Sequence, residues 1–237
     1  MPYYDQIAKK WHSLSGAQGG AFKKYALNGL VLSRISSIAR QAILELGAGN
    51  GYFVPLALRR YSGQVASRIV ITDQSPALLN IARRSFRVPE AEYKLLDVRT
   101  PFPFVNESFD LILANMIFNE ITTRDLRHAL KECHRVLSSK GRILATVIHP
   151  TFVKSLARRE QLKPYGNGVY TMPASDGLRL PVALRSLKGY ESALQDAGFQ
   201  FQSEDIFGNR QVMSAKPGLR QAGKTPIAML LECDKNR

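Results

Sequence analysis

Cysteine is scarce in this chain, and long apolar runs are absent from its sequence. The 237 residues include two cysteines, Cys133 and Cys233, which are far apart and have no Cys or His neighbour at metal-ligand spacing. We therefore expect a reducing compartment and no metal site. No stretch approaches the ~18 consecutive apolar residues of a membrane span, and the first residues lack the basic and then apolar pattern of a leader peptide. These absences predict a cytoplasmic protein without a membrane partner.

Acidic residues are also few compared with basic ones. Lys and Arg number 33 against 19 Asp and Glu, which gives a formal net charge of +14. Two segments hold most of the excess, because residues 1–44 carry six basic side chains against one acidic, and residues 150–190 carry seven against two. A positive field of this kind attracts nucleic acid, anionic membranes or acidic small molecules. A solubilising surface with no ligand is an equally good interpretation.

What the sequence does contain is a regular alternation of short apolar runs and amphipathic segments from residue 42 onward. Hydrophobic residues make up 45% of the chain, which suits one compact domain over residues 1–237. The alternation predicts βαβ units, a mostly parallel sheet and therefore the α/β fold class. Strands are predicted at about 42–46, 69–73, 91–95, 109–114, 141–148, 199–207 and 226–233. Helices are predicted at about 52–61, 76–86, 122–137 and 187–197.

Three segments fall outside this alternation. Residues 1–40 precede the first strand and are predicted to form an N-terminal helical lid. Residues 149–186 follow the fifth strand and are rich in Pro, Gly and aromatic residues. An unpatterned stretch of this length in a compact domain is usually functional, so we predict an insert on the substrate side. Residues 208–224 have a loop-like composition and are predicted to be mobile.

A glycine-rich turn joins the first strand to the first helix of the alternation. Its segment 45–51 reads ELGAGNG, and the glycines allow a tight turn and a close approach of backbone N–H groups to a ligand. The spacing differs from the G-x-G-x-x-G of dinucleotide sites, which seats a pyrophosphate. Glu45 would repel a pyrophosphate but suits a ligand that carries an ammonium and a sulfonium. A purely structural turn is the alternative from this loop alone.

The segment 45–51 resembles motif I of the class I S-adenosylmethionine-dependent methyltransferases, in which the loop holds the methionine part of the cofactor. Asp73 ends the second strand and is similar to the family's acid that accepts both ribose hydroxyls. Asp97 and Val98 follow the third strand, where the family contacts adenine. The segment 101–115 resembles the stretch that enters the fourth strand and leads to the reaction centre. A later turn departs from the family pattern at Ser139 and Lys140.

The resemblance covers residues 42–148 well and 187–234 more loosely. It implies a Rossmann-like, doubly wound sheet of seven strands in the order 3-2-1-4-5-7-6, with the last strand antiparallel. It also implies S-adenosylmethionine as cofactor and S-adenosylhomocysteine as product. The cofactor-binding residues that it implies are Glu45, Gly47, Ala48, Gly49, Gly51, Asp73, Gln74, Asp97, Val98 and Asn115.

Candidates for the catalytic side are fewer. His149 ends the fifth strand, where an open parallel sheet faces its ligand, and it titrates in the range of a general base. The alternative is a histidine that makes one turn hydrogen bond at the strand end. Asn115, Asn119 and Glu120 follow the fourth strand and either orient the substrate or cap the next helix. Aromatic residues of the lid and the insert either line a pocket or pack the two segments against the sheet.

Three functions remain open at this point. The basic charge of the two covering segments favours methyl transfer to an O or N atom of a small, acidic metabolite, with an electropositive entrance at Lys154, Arg158 and Arg159. An RNA methyltransferase is the first alternative, because the sequence pI is about 10.0. A protein that binds the cofactor without catalysis is the second. The sequence shows no segment typical of attack on a nucleobase.

Overall fold

The computed structural model describes residues 3–222 and 224–235. Residues 1 and 2 of the predicted lid and residue 223 of the predicted loop lie outside the described residues. The strands are β1 Ala42–Glu45, β2 Arg68–Asp73, β3 Ala91–Leu95, β4 Phe109–Asn115, β5 Leu137–Ile148, β6 Lys163–Gly166, β7 Val169–Pro173, β8 Arg179–Ala183, β9 Phe199–Ile206 and β10 Ala228–Lys235. The helices are α1 Tyr3–Ser15, α2 Gly20–Phe22, α3 Asn28–Arg34, α4 Phe53–Arg60, α5 Pro76–Ser85, α6 Thr123–Val136, α7 Pro150–Arg158, α8 Leu187–Asp196 and α9 Arg210–Ala215. A π-helical segment, Lys23–Leu27, joins α2 to α3.

The main sheet has seven strands in the order β3-β2-β1-β4-β5-β10-β9. Strands β1 to β5 pair in parallel, whereas β10 runs antiparallel to both β5 and β9. This confirms the predicted order, in which β9 and β10 are the sixth and seventh strands. The chain reverses its direction of winding between β1 and β4, and a crevice opens at that point along the carboxyl ends of the strands.

Two hydrophobic clusters cover the two faces of the sheet. One contains the apolar side of α6, with Leu126, Leu130 and Cys133 fully buried, together with residues of α8. The other contains residues of α3 and α4. Helix starts are capped as the sequence predicts: the Ser75 Oγ accepts from the Leu78 N–H at 3.1 Å, and Pro76 is the first helical residue. The sheet is therefore rigidly held, and its crevice edge has a fixed geometry.

The insert contains regular structure that the sequence pattern does not predict. Residues 150–158 form α7, and β6, β7 and β8 form a separate three-stranded antiparallel sheet. Pro and Gly interrupt every one of these short strands or their turns, which hides the two-residue alternation. The loop predicted over residues 208–224 is corrected as well, whereas its mobility stays a prediction. The segment contains α9, whose start is capped by the Asn209 Oδ1 and whose Val212 is fully buried.

The N-terminal segment lies across the crevice edge. Helix α1 packs against α5 through a small cluster that includes Tyr4, Ala8 and Leu78. The Asp5 carboxylate accepts hydrogen bonds from the Ser75 hydroxyl and, at 3.2 Å, from the Ala77 N–H. These contacts attach the helix to the carboxyl end of β2. The segment before β1 is therefore helical and covers the sheet edge where the glycine-rich turn lies.

Candidate active site

A cavity of about 1190 Å³ lies at the carboxyl ends of β1, β2 and β4, beneath α1, α2 and the insert. Small-molecule sites usually occupy about 300–1,000 Å³, so this cavity has room for a nucleoside cofactor and a second ligand. All ten residues that the resemblance assigns to the cofactor lie around it, and all except Gly51 line it. The lining also includes residues that the sequence did not indicate, among them Lys23, Arg99 and Lys216.

Asp73 connects the glycine-rich turn to β2. Its Oδ2 accepts a hydrogen bond from the Gly49 N–H and its Oδ1 accepts one from the Ser75 N–H, both at 2.8 Å. Burial raises the pKa of Asp73 to about 6, although the hydrogen bonds from Ser75 and Gly49 oppose that rise. Each carboxylate oxygen keeps a second lone pair. The residue is therefore arranged to accept two further donors, as the paired hydroxyls of a ribose would supply.

Glu45 is a buried carboxylate at the end of β1. Its Oε2 has no hydrogen-bond partner among the described residues, which is uncommon for a buried polar atom. Burial raises the pKa of Glu45 to about 8, while Lys23 lowers it and Asp73 raises it further. An unpaired buried acceptor of this kind suits a cationic donor. The residues present thus fit the ammonium of a methionine moiety, next to a turn of glycines and a ribose-binding acid.

The raised pKa of Glu45 makes the stability of the ligand-free protein depend on pH. Between the ordinary glutamate pKa of about 4.3 and about 8, the folded state holds a proton that the unfolded chain has released. The free energy of unfolding is therefore expected to fall as pH rises through this window, by up to ~1.4 kcal/mol per pH unit for one such group. Urea denaturation at pH 5, 6, 7 and 8 measures the slope.

Glu45→Gln should reduce this slope by the contribution of one group, because the amide does not ionise, while Asp73 and Glu120, whose pKa values are also raised, keep their contributions. Glu90→Gln is the matched control, since Glu90 is exposed and does not line the cavity. An unchanged slope in Glu45→Gln, or an equal change in Glu90→Gln, would show that Glu45 is not the group that titrates.

Gly51 is required by packing as well as by the turn. Its φ is +79°, and a Cβ at this position would lie 2.4 Å from the Cβ of Ala82 in α5. The sequence suggested that the glycines serve a close approach to the ligand. At Gly51 the close neighbour is instead a helix of the protein itself.

Gly51→Ala is expected to destabilise the fold by the positive φ and by the contact with Ala82. Gly63→Ala is the matched control, because Gly63 has a φ of +91° and no heavy atom lies within 4 Å of the position that its Cβ would occupy. We expect Gly51→Ala to lose roughly 1–3 kcal/mol more than the control, as overpacking does elsewhere. Chemical denaturation of both variants measures the difference, and equal losses would contradict the packing argument.

The predicted adenine end carries an additional arginine. The Arg99 Nη2 donates to the Asp97 Oδ2 at 2.6 Å and to the Gln74 Oε1 at 3.3 Å. Burial raises the pKa of Asp97, but hydrogen bonds from the Arg99 side chain and backbone outweigh that effect and the net shift is downward. Asp97, Val98 and Gln74 all line the cavity. A ligand amine that approaches Asp97 therefore meets a carboxylate that already has a cationic partner.

The side chains of Asn115 and Asn119, at and after the end of β4, form hydrogen bonds with β5. The Asn119 Oδ1 accepts from the Ile148 N–H at 3.2 Å, and the Asn119 carbonyl accepts from the Ala183 N–H at 2.7 Å, so Asn119 joins β5 to the insert. The Asn115 Oδ1 accepts from the Thr146 hydroxyl at 3.0 Å. Helix α6 is capped by the Thr122 Oγ1. The helix-capping alternative for Asn115, Asn119 and Glu120 is therefore wrong.

Glu120 is half-buried and forms the centre of a second acidic site in the cavity. Its Oε1 accepts a hydrogen bond of 2.6 Å from the Tyr4 hydroxyl of α1. Burial raises the pKa of Glu120 to about 8; the Tyr4 hydrogen bond and Lys23 oppose the rise. Burial also lowers the pKa of Lys23, while Glu120 and Glu45 raise it. Lys23 thus acts electrostatically on both acidic sites, and its role was not visible in the sequence.

His149 does not face the cavity, which corrects its assignment as a general base. Its Nδ1 accepts from the Thr151 N–H at 3.1 Å, and its Nε2 lies 3.3 Å from the Asp205 Oδ1. Both ring nitrogens are therefore engaged at the start of α7, and His149 is not among the lining residues. Burial lowers the pKa of His149, and Asp205 opposes that shift. The geometry agrees with the alternative of a turn hydrogen bond at the strand end.

Aromatic side chains from the two covering segments meet above the glycine-rich turn. The ring centroids of Tyr4 and Trp11 are 5.8 Å apart, and those of Tyr3 and Tyr165 are 6.0 Å apart. These four line the cavity together with Phe152. The two interpretations of the aromatic residues are thus both partly right, because the rings pack the segments together and also form the roof of the site.

The predicted basic entrance is only partly supported. Arg159 lines the cavity, whereas Lys154 and Arg158 are exposed and lie outside its lining. Within residues 3–222 and 224–235 there is no group of His, Cys, Asp or Glu that could hold a metal ion. The same part of the chain contains no helix long and apolar enough to cross a membrane.

Comparison with known proteins agrees with this architecture. Residues 43–141 match the model of a family described as a methyltransferase domain. Malonyl-[acyl-carrier protein] O-methyltransferase 1 of Coxiella burnetii is 33% identical over 114 residues, which are 48% of this chain and 36% of that protein. Demethylmenaquinone methyltransferase of Thermotoga maritima is 30% identical over 157 residues, which are 65% of this chain and 63% of that protein. The chain thus spans about one to two thirds of the length of these curated relatives.

Solved structures share the fold over nearly the whole chain. An S-adenosylmethionine-dependent methyltransferase from Mesorhizobium loti superposes with a TM-score of 0.68 at 18% identity, covering 93% of this chain and 100% of that one. The PH0226 protein from Pyrococcus horikoshii gives a TM-score of 0.71 at 16% identity, covering 98% and 99%. Residues 43–141 are therefore similar to a methyltransferase domain, and the fold is that of S-adenosylmethionine-dependent methyltransferases of known structure. The predicted fold class is thus confirmed, and the match to a methyltransferase domain supports S-adenosylmethionine as the cofactor.

Proposed function

We propose that this chain transfers the methyl group of S-adenosylmethionine to an O or N atom of a small molecule that is held in the cavity. The observation that carries the proposal is the presence of two acidic sites in one cavity. Glu45 and Asp73 lie at the glycine-rich turn, whereas Glu120 and Tyr4 lie beyond the end of β4. The site of Glu45 and Asp73 suits the cofactor, and the site of Glu120 and Tyr4 is then available to the methyl acceptor.

The cofactor, when bound, supplies an electrophilic methyl group on a sulfonium. Glu45 would hold its ammonium, Asp73 would accept from its ribose, and Gln74, Asp97 and Val98 would surround its adenine. The residues of the chain have three further tasks, which are to orient the acceptor, to accept its proton and to exclude water. The roof formed by α1 and the insert performs the last of these.

Glu120 is the best candidate for the proton acceptor, in place of His149. It lines the cavity, its Oε1 is fixed by the Tyr4 hydroxyl, and it lies five residues beyond Asn115 at the end of β4. A general base is most effective when its pKa is near the working pH, and the pKa of Glu120 is raised to about 8. The acceptor's O–H or N–H proton would pass to this carboxylate, while Asn115 orients the acceptor.

A small acceptor is favoured over a nucleic acid because the site is roofed. Tyr3, Tyr4 and Trp11 from α1 and Tyr165 from the insert line the cavity, and their rings contact one another between the two segments. A base of an RNA strand could reach the acceptor end only after displacement of these segments. The named relatives are consistent with a small or carrier-bound acceptor, since they are a malonyl-[acyl-carrier protein] O-methyltransferase and a demethylmenaquinone methyltransferase.

Two measurements test the proposal. Calorimetry with S-adenosylmethionine and S-adenosylhomocysteine should show binding of both to the purified protein. Transfer of a radiolabelled methyl group should then be followed with pools of hydroxy acids, amino compounds and total tRNA as acceptors. Label in the small-molecule fraction supports the proposal. Label in tRNA would favour the RNA methyltransferase, and binding without any transfer would favour a non-catalytic cofactor-binding protein.

A further inference from the structure

One wall of the cavity is apolar. It is formed by a third hydrophobic cluster, separate from the two that cover the sheet. The side chains of this apolar wall are Phe22, Phe152, Leu156, Met172, Leu219 and Ile227. They come from α2, α7, β7, the turn after α9 and the residue before β10. Five separate segments therefore contribute apolar surface to the same side of the cavity.

The apolar wall borders the cavity and does not complete a core. Phe22, Met172 and Leu219 are partly exposed, and all six side chains line the open volume. Apolar surface that faces water in a cavity is stabilised when a ligand removes it from water. The wall is also continuous with the end of the cavity that holds Glu120, because Ile148 of β5 belongs to the cluster and lines the cavity too.

A basic side chain lies beside this wall. Lys216 lines the cavity and is half-buried, and burial lowers its pKa while Asp176 opposes that shift. Asp176, which acts on the charge of Lys216, lines the same cavity. The Leu219 N–H donates to the Lys216 carbonyl at 3.0 Å, so one turn places the apolar Leu219 and the basic Lys216 next to each other.

We propose that the methyl acceptor is an amphipathic acid, whose aliphatic or aromatic body packs against the apolar wall and whose anionic group binds Lys216. This inference rests on the proposed function. The hydroxyl or amine that receives the methyl group is then a second group of the same molecule and lies at Glu120. An anion at Lys216 pairs with the half-buried ammonium, and the body removes the wall from water.

Binding of simple probes tests the two parts of this site without knowledge of the natural acceptor. Octanoate, decanoate and 1-decanol are titrated calorimetrically into the protein saturated with S-adenosylhomocysteine. Each additional buried methylene should tighten binding about fourfold, so decanoate, with two more methylenes, should bind roughly 16-fold more tightly than octanoate. Decanoate should also bind more tightly than 1-decanol, because the alcohol has no charge for Lys216.

Matched variants assign these effects to residues. Lys216→Gln should weaken decanoate binding about tenfold and leave 1-decanol unchanged, whereas Lys140→Gln, at an exposed position on β5, should change neither. Met172→Gln keeps the side-chain length but places an amide on the apolar wall, and it should weaken decanoate and 1-decanol alike by about tenfold. Met213→Gln is its control, since Met213 packs against the same cluster without lining the cavity.

Two results would overturn the inference. One is the absence of decanoate binding, and the other is binding that is insensitive to chain length and equally affected by the control variants. S-adenosylhomocysteine binding is measured in the same samples and reports separately on the proposed function. If that ligand fails to bind, the proposed function is wrong, and fatty-acid titrations of the ligand-free protein then show whether the apolar wall and Lys216 still bind an amphipathic acid.

Discussion

Replacement of Asp73 by Asn is expected to weaken S-adenosylhomocysteine binding about 100-fold, which corresponds to about 2.7 kcal/mol. The carboxylate accepts N–H groups from Gly49 and Ser75 on its two oxygens. An amide turns its NH₂ group toward one of these donors, so that one hydrogen bond to a charged acceptor is lost, at about 1.5–3 kcal/mol. The same change removes one acceptor for the ribose. Isothermal titration calorimetry at neutral pH measures the loss.

Asp110→Asn is the matched control for this experiment. Asp110 also accepts a backbone hydrogen bond, from the Ala42 N–H at 2.9 Å, and a second from the Ser138 hydroxyl at 2.9 Å. It lies at the start of β4, at the opposite edge of the sheet from the cavity. We expect Asp110→Asn to lower the thermal midpoint while the affinity for S-adenosylhomocysteine stays within a factor of about two. Equal losses of affinity in both variants would mean that Asp73 acts through stability alone.

The architecture was predictable because its signals are local. The strands around Glu45 and Asp73 are short apolar runs that end in an acid, and the turn between β1 and α4 has glycines where positive φ values occur. The caps at Ser75 and Thr122 likewise depend on adjacent residues. Features of this kind need no knowledge of tertiary contacts, so the sheet order and the cofactor end followed from the sequence and its family resemblance.

Other features depend on partners that are distant in the chain. The sequence placed His149 at the correct strand end, but Asp205 of β9, which engages its ring, is 56 residues away. Gly51 faces Ala82 of α5, and Glu120 faces Tyr4 of α1. None of these pairs has a sequence signal. Arg99 could have been noticed, because a basic residue two positions after Asp97 can return to the carboxylate, as it does here.

The distribution of charge also acquires a different meaning in three dimensions. The chain is strongly basic overall, yet the cavity is lined by the buried carboxylates of Glu45 and Asp73 and the half-buried carboxylate of Glu120, whose pKa values are all raised. The cations that act on them are few, and Lys23 is the one shared by Glu45 and Glu120. The part of the cavity around these three carboxylates is therefore suited to cationic and protonated groups. The excess of positive charge lies on the N-terminal segment and the insert and at Lys216.

Replacement of Glu120 by Gln is expected to lower kcat by about 10²–10⁴-fold, the usual contribution of a general base. The acceptor identified by the label-transfer screen serves as substrate. Affinity for S-adenosylhomocysteine should change little, because Glu120 is not one of the residues assigned to the cofactor. In the wild-type protein kcat should rise with pH up to about 8, since the carboxylate of Glu120 must be ionised to accept a proton.

The Tyr4 hydroxyl offers a test that distinguishes a proton acceptor from a structural residue, because its removal should shift the pH profile of kcat only if Glu120 accepts the proton. Its hydrogen bond to Glu120 lowers the pKa of that carboxyl, against the larger rise caused by burial. Tyr4→Phe should therefore move the acidic limb of the kcat profile to higher pH, and most of the rate should return at alkaline pH. Tyr3→Phe is the control, because the Tyr3 hydroxyl donates to the Arg179 carbonyl and not to Glu120. If Glu120→Gln keeps its turnover, or if the Tyr4→Phe profile does not move, Glu120 is not the proton acceptor.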